Sequence, residues 1–204
     1  NWGWQEYIKG VIEVTREDGL NLSGWQGVVA GNVPIGAGLS SSAALEMALA
    51  RAFAVMGNWE WDHGRMAKLG QRAENGWVGM NCGIMDQMIS VSGRKGYALF
   101  LDCRTLRTEN VPISEAARTV VLDTITRRGL VDSAYNKRRS QCESAARSFG
   151  VKALRDVSME ELNSYETELD PQVFRRARHV ISENRRVLDC VKALREGNLD
   201  RVGK

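Results

Sequence analysis

Apolar positions along the chain fall into stretches of different period, and these predict most of its elements. From Ala43 to Met56 the sequence is apolar nearly all round, with Leu45, Leu49, Phe53 and Met56 in helical register, which predicts a buried helix ended by Gly57. A second helix is predicted from a cap at Asp62 to about Asn75, turning Met66, Leu69 and Ala73 inward. Upstream, Tyr7–Val14 reads as helical, and Val28-Val29-Ala30 as a short apolar strand between glycines. Tyr97–Asp102 and the segment near Thr108–Pro112 predict a hairpin, and Thr119–Asp123 a buried strand.

The remainder is helical in pattern. Asp132 is expected to cap a helix carrying Tyr135, Cys142, Ala146 and Phe149 that stops at Gly150. Ser158 and Glu161 have the spacing of a capping box, and Asp170-Pro171 that of an N-cap followed by a first-turn proline. From there Val173, Ala177, Val180, Ile181, Val187, Leu188, Val191 and Leu194 keep a 3.6 period up to Gly197, with arginines on the other side as a solvated face. Strands and helices mixed in the first half and helices in the second predict an α+β fold. The expected domains are 1–113 and 114–204, with the boundary between about Pro112 and Arg118.

Composition narrows the classes. At 204 residues and 43% hydrophobic content there is ample core material, and 26% charged residues of mixed sign with 3 Pro exclude a low-complexity chain. A net charge of +3 is too small to point to nucleic acid. No apolar run is long enough to span a bilayer, so no membrane partner is expected. Cys82, Cys103, Cys142 and Cys190 form no CxxC pair, and with His63 and His179 the only histidines a zinc cage is not expected; reduced thiols in a cytoplasmic protein are. The chain opens at Asn1 without methionine and stops at Lys204 soon after a new helix could begin at Asn198, which reads as an internal piece.

Three features carry candidate chemistry. Gly36 and Gly38 remove Cβ atoms where a backbone turns sharply or meets a ligand, and Ser40, Ser41 and Ser42 then open the buried helix, where free N–H groups and the dipole favour an anion. Such a loop cradles phosphates or is merely a glycine turn with a serine cap; it is neither a Walker A motif nor a dinucleotide fingerprint. Glu74 falls at the predicted C-terminal end of its helix, where an anion calls for a cation such as magnesium, unless it is a solvated surface glutamate. Asp86 interrupts the apolar run Cys82–Ile89, as a general base for a substrate hydroxyl or as a structural ion pair or cap.

Taken together, these residues resemble the GHMP family of small-molecule kinases, and within it the galactokinases. The stretch Pro34-Ile35-Gly36-Ala37-Gly38-Leu39-Ser40-Ser41-Ser42-Ala43 looks like that family's ATP phosphate loop. Ala73-Glu74-Asn75, Asn81-Cys82-Gly83-Ile84-Met85-Asp86-Gln87 and Tyr135-Asn136-Lys137-Arg138-Arg139 with Gln141-Cys142-Glu143 point to the galactokinase branch, as do Leu154-Arg155-Asp156-Val157 and Arg178-His179 with Glu183-Asn184. The resemblance implies a GHMP kinase fold: an N-terminal part like the second domain of ribosomal protein S5, followed by a mainly helical C-terminal domain. It implies ATP-dependent phosphorylation of the C1 hydroxyl of galactose with Mg2+, by a cytoplasmic monomer. Asp86 would be the catalytic base, and Pro34, Gly36, Ala37, Gly38, Leu39, Ser40, Ser41 and Ser42 the phosphate grip. Ser42 and Glu74 would hold magnesium, and Gly83, Asp86 and Tyr135 would meet the sugar. The family's first motif, which reads the sugar hydroxyls, and its third, glycine-rich motif have no match here, so the 204-residue chain alone is expected to be inactive. The alternatives are a kinase for N-acetylgalactosamine, galacturonate or arabinose, or a non-catalytic sensor of galactose and ATP.

Overall fold

A computed structural model describes residues 3–122 and 133–203. These fall into two compact units, divided between 122 and 133, so that residues 114–122 group with the first.

The first unit is a helical layer with one hairpin. Helix α1 (Gln5–Glu17) extends the expected Tyr7–Val14 at both ends; it is followed by α2 (Ser41–Gly57), α3 (His63–Arg72) and α4 (Met85–Ser92). Strands β1 (Tyr97–Leu101) and β2 (Thr108–Pro112) pair antiparallel, Tyr97 opposite Pro112 and Leu101 opposite Thr108, as the hairpin pattern predicts. Sequence-local signals are obeyed. Asp62 accepts a bond from Arg65 N at 2.6 Å, and Met66, Leu69 and Ala73 are all buried. Val11 and Val14 of α1, Met47, Leu49, Ala50 and Phe53 of α2, and the inner face of α3 form one core. Ala67, Ile84 and Met88 form a smaller one beneath the hairpin.

Four expectations are corrected. Val28-Val29-Ala30 is not a strand: the only sheet among the described residues is the hairpin, nothing pairs with this segment, and Val28 is 96% exposed. Residues 119–122 are likewise irregular, with Val120, Val121 and Leu122 exposed rather than buried; Asp123 lies outside the described residues. Helix α2 is terminated not by Gly57 but by Asn58, whose φ of 52° supplies the left-handed cap. Gly57 is instead needed for space, since a Cβ there would lie 2.1 Å from Trp59 Nε1 and 2.5 Å from Asn21 O, which are themselves bonded at 2.9 Å. Finally, α3 does not end near Asn75 but widens into a π-helical turn over Ala73–Val78.

The second unit is all helix: α5 (Ser133–Ser148), a 3-10 turn (Leu154–Asp156), α6 (Met159–Ser164), α7 (Pro171–Arg195) and α8 (Leu199–Val202). The expected Asp132 cap lies outside the described residues. Ser158 and Glu161 form the reciprocal capping box, and Asp170 accepts from Gln172 N and Val173 N at 2.8 and 3.2 Å. Phe174, Ala177 and Ile181 of α7 pack with Ala145, Ala146, Leu154 and Leu162, whereas Val187 and Leu188 are exposed. The outcome is the predicted α+β content, weighted to helix. All four cysteines are free.

Candidate active site

The Pro34–Ser42 loop is a turn over residues 35–38, followed directly by α2. Gly36 and Gly38 have φ of 72° and 73°, the region glycine enters without strain, and the space beside Gly38 is open. Ser40, the residue before the helix, also has positive φ (58°), which costs a non-glycine residue about 1 kcal/mol. Its side chain makes no cap, and the first backbone bond of the helix runs from Ala44 N to Ser40 O at 3.0 Å. The N–H groups of Ser41 and Ser42 therefore have no acceptor among the described residues, and they sit at the positive end of a 17-residue helix dipole. Pro34, Ile35, Gly36, Gly38 and Leu39 are exposed; Ala37, Ser40, Ser41 and Ser42 are half-buried. An anion could approach this turn from solvent and find backbone donors.

The sequence left Glu74 between a solvated glutamate and a cation ligand, placed at the end of a helix. The π turn carries the helix past it, and the side chain is buried at 3% exposure, so a solvated glutamate is excluded. Glu74 Oε1 accepts from the Ser42 hydroxyl at 3.0 Å, across 32 residues of sequence. Oε2 accepts from Gln87 Nε2 at 2.7 Å and from the Cys82 thiol at 3.3 Å. Cys82 is itself pinned: its backbone N–H bonds Asn75 Oδ1 at 2.9 Å, and its carbonyl accepts from Gln71 and Asn75. Burial, reinforced by Glu74, pushes the Cys82 thiol up to about 12, so it remains a donor.

Behind this junction lies a residue the sequence reading passed over. Glu46 is 0% exposed inside α2, and Gln87 Nε2 bonds its Oε2 at 3.2 Å. Burial first, then the charge of Glu74, pushes the Glu46 carboxyl up to about 8; the amide bond from Gln87 opposes the push and Asp86 adds to it. A Cβ on Gly70 of α3 would lie 2.3 Å from Met47 Cε, 3.1 Å from Gln87 Cγ and 3.2 Å from Glu46 Oε2, so a side chain there would displace the Met47 tip and crowd the group. The signal was present: Ala43, Glu46, Met47 and Ala50 share one helical face, and that face is the buried one.

Asp86 is the second residue of α4, half-buried, while Ile84 holds the N-cap position. The expected depth of burial is thus only partial. Among the described residues its carboxylate has no ion pair, and it does not cap the helix, so neither structural role suggested for it is filled. Gly83 is exposed in the loop just before α4. Tyr135 is on α5 in the second unit, 40% exposed, with the Arg138 guanidinium 5.9 Å from its ring centre.

Magnesium prefers oxygen donors and keeps several waters or phosphate oxygens, so two protein oxygens suffice. The Ser42 hydroxyl and Glu74 Oε1, already in contact at the head of an anion-accepting helix, fit that donor set. Among the described residues there is no cluster of three or more His, Cys, Asp or Glu of the kind a zinc site needs, and no helix is long and apolar enough to cross a membrane.

Residues 6–94 match the family described as GHMP kinases N terminal domain. The crystal structure of Lactococcus lactis galactokinase complexed with galactose superposes with a TM-score of 0.83 at 29% identity, over 98% of this chain and 54% of that one. The chain thus spans about half the length of that solved relative, and its fold is that of a GHMP kinase.

Proposed function

From a chain with the GHMP kinase fold, we propose an ATP-dependent sugar kinase that phosphorylates the C1 hydroxyl of galactose. The observation that carries this reading is the Ser42–Glu74 contact. It ties a loop with free backbone donors to a buried carboxylate, which is the pairing of phosphate grip and metal ligand that phosphoryl transfer requires. Galactose as acceptor is supported by the similarity to a galactokinase solved with that sugar.

In this reading the loop from Pro34 to Ser42 holds the phosphates of ATP through backbone N–H groups, and Ser42 and Glu74 hold Mg2+. Bound there, the metal ion would neutralise charge on the transferring phosphoryl group. Asp86, at the positive end of α4 and without an ion-pair partner among the described residues, orients the sugar hydroxyl and accepts its proton. Gly83, just before α4, and Tyr135 contact the sugar. The protein is taken to work as a cytoplasmic monomer.

The test is a sugar panel with the full-length protein and MgATP, with Asp86→Ala as control. Galactose 1-phosphate is the expected product, with turnover at least about 100-fold lower in the variant while ATP binding is kept. Preference for another sugar would overturn the substrate, and full turnover by Asp86→Ala would overturn the base assignment.

A further inference from the structure

Gln87 lies on α4 next to Asp86, yet its side chain is fully buried and points the other way, into the first unit's interior. One amide nitrogen serves two acidic side chains from two other elements: Glu74 Oε2 on the π turn at 2.7 Å and Glu46 Oε2 on α2 at 3.2 Å. A carboxylate that gives one oxygen to a fixed donor cannot rotate freely. With Oε2 held by Gln87, the remaining oxygen of Glu74 faces Ser42 at 3.0 Å. The bridge also separates two acidic groups that would otherwise meet in a buried space with no donor between them.

We propose that Gln87 is a positioning residue for metal binding: its amide clamps Oε2 of Glu74 against Glu46 so that Oε1 is presented, with the Ser42 hydroxyl, to the cation. The inference rests on reading Ser42 and Glu74 as the metal ligands. An amide suits the task because it orients an acidic group without neutralising it, and it reaches both acceptors from a single helix position.

The experiment measures Mn2+ affinity of the protein saturated with a non-hydrolysable ATP analogue, by the loss of free Mn2+ signal in electron paramagnetic resonance. Gln87→Met keeps the length of the side chain and removes the donor. Its Mn2+ affinity should fall about tenfold, the size typical of losing a residue that orients a metal ligand, with nucleotide affinity in EDTA unchanged. Glu74→Gln distinguishes the two ideas. If it leaves Mn2+ affinity intact, the ligand reading fails; if it abolishes binding while Gln87→Met binds like the wild type, only the positioning role fails. Because an unpaired Glu46 could unfold Gln87→Met, the wild-type side-chain amide is followed by 15N NMR as well. A clamped Gln87 gives NH2 protons that exchange slowly and shift when Mg2+ is added; fast exchange at the position of a free glutamine would overturn the proposal.

Discussion

Replacing Glu46 with glutamine should remove a pH dependence of stability whose size follows from the burial of that carboxyl. The side chain is fully enclosed and its folded pKa is pushed up to about 8, against 4.5 for the free group. Between those values the native state holds a proton that the unfolded chain has released, so stability falls as pH rises. The contribution is complete below about pH 4.5, falls through neutrality and is gone above about pH 8. At about 1.4 kcal/mol per pH unit the full swing is about 5 kcal/mol, and about 3 kcal/mol is already lost at pH 7. The neutral amide of Glu46→Gln imitates the protonated acid and has nothing to release. Urea unfolding in EDTA at pH 5, 6, 7 and 8 should give similar midpoints for both proteins at pH 5 and a widening advantage for the variant up to pH 8. Groups remote from this cluster are common to the two proteins and cancel, so the difference reports Glu46 together with the acids coupled to it. Parallel pH profiles would refute the argument that this acid is buried in its neutral form.

Two further outcomes concern the first unit. Cys82 should react with a thiol reagent at pH 8 about 30-fold more slowly than exposed Cys103: raising the thiol from 9.0 to about 12 cuts thiolate about 1000-fold, and the higher intrinsic nucleophilicity returns about half of that on a logarithmic scale. Time-resolved labelling followed by peptide mass spectrometry reads both sites at once. Gly57→Ala should destabilise the first unit by about 1–3 kcal/mol despite alanine's better helix propensity, because the new methyl group meets Trp59 Nε1 and the Asn21 carbonyl it bonds. The unfolding midpoint, together with a change in tryptophan fluorescence, would report it.

What was legible in the sequence was local. Asp62, Ser158 and Asp170 announce helix starts because a cap depends on a donor two or three residues away, and each makes the bond its spacing implies. The hairpin was readable for the same reason. Val28–Ala30 and Thr119–Leu122 were misread because an apolar run states what a segment could bury, not whether a neighbour lies in register with it. The widening of α3 into a π turn was equally hidden, since the period of the apolar residues is satisfied through Ala73 and says nothing about the hydrogen-bond pattern beyond it.

The residues that sequence reasoning proposed for the candidate site, Ser42, Glu74 and Asp86, are polar residues in conspicuous places. The part it missed explains how that polarity is tolerated. Glu46 and Glu74 come from segments 28 residues apart, and both are buried; two like charges on one amide would oppose each other strongly in so dry a place. The conflict is relieved at Glu46, whose carboxyl burial and the neighbouring Glu74 push up to about 8. A lysine at position 87 would satisfy both acids more simply, but it would place a positive charge beside the proposed metal ligand. A glutamine there adds no charge and fixes the direction of Glu74. On the proposed reading, a site that attracts a cation must stay short of its own counter-charge, and the buried acid and the amide leave Glu74 without one beside the Pro34–Ser42 loop.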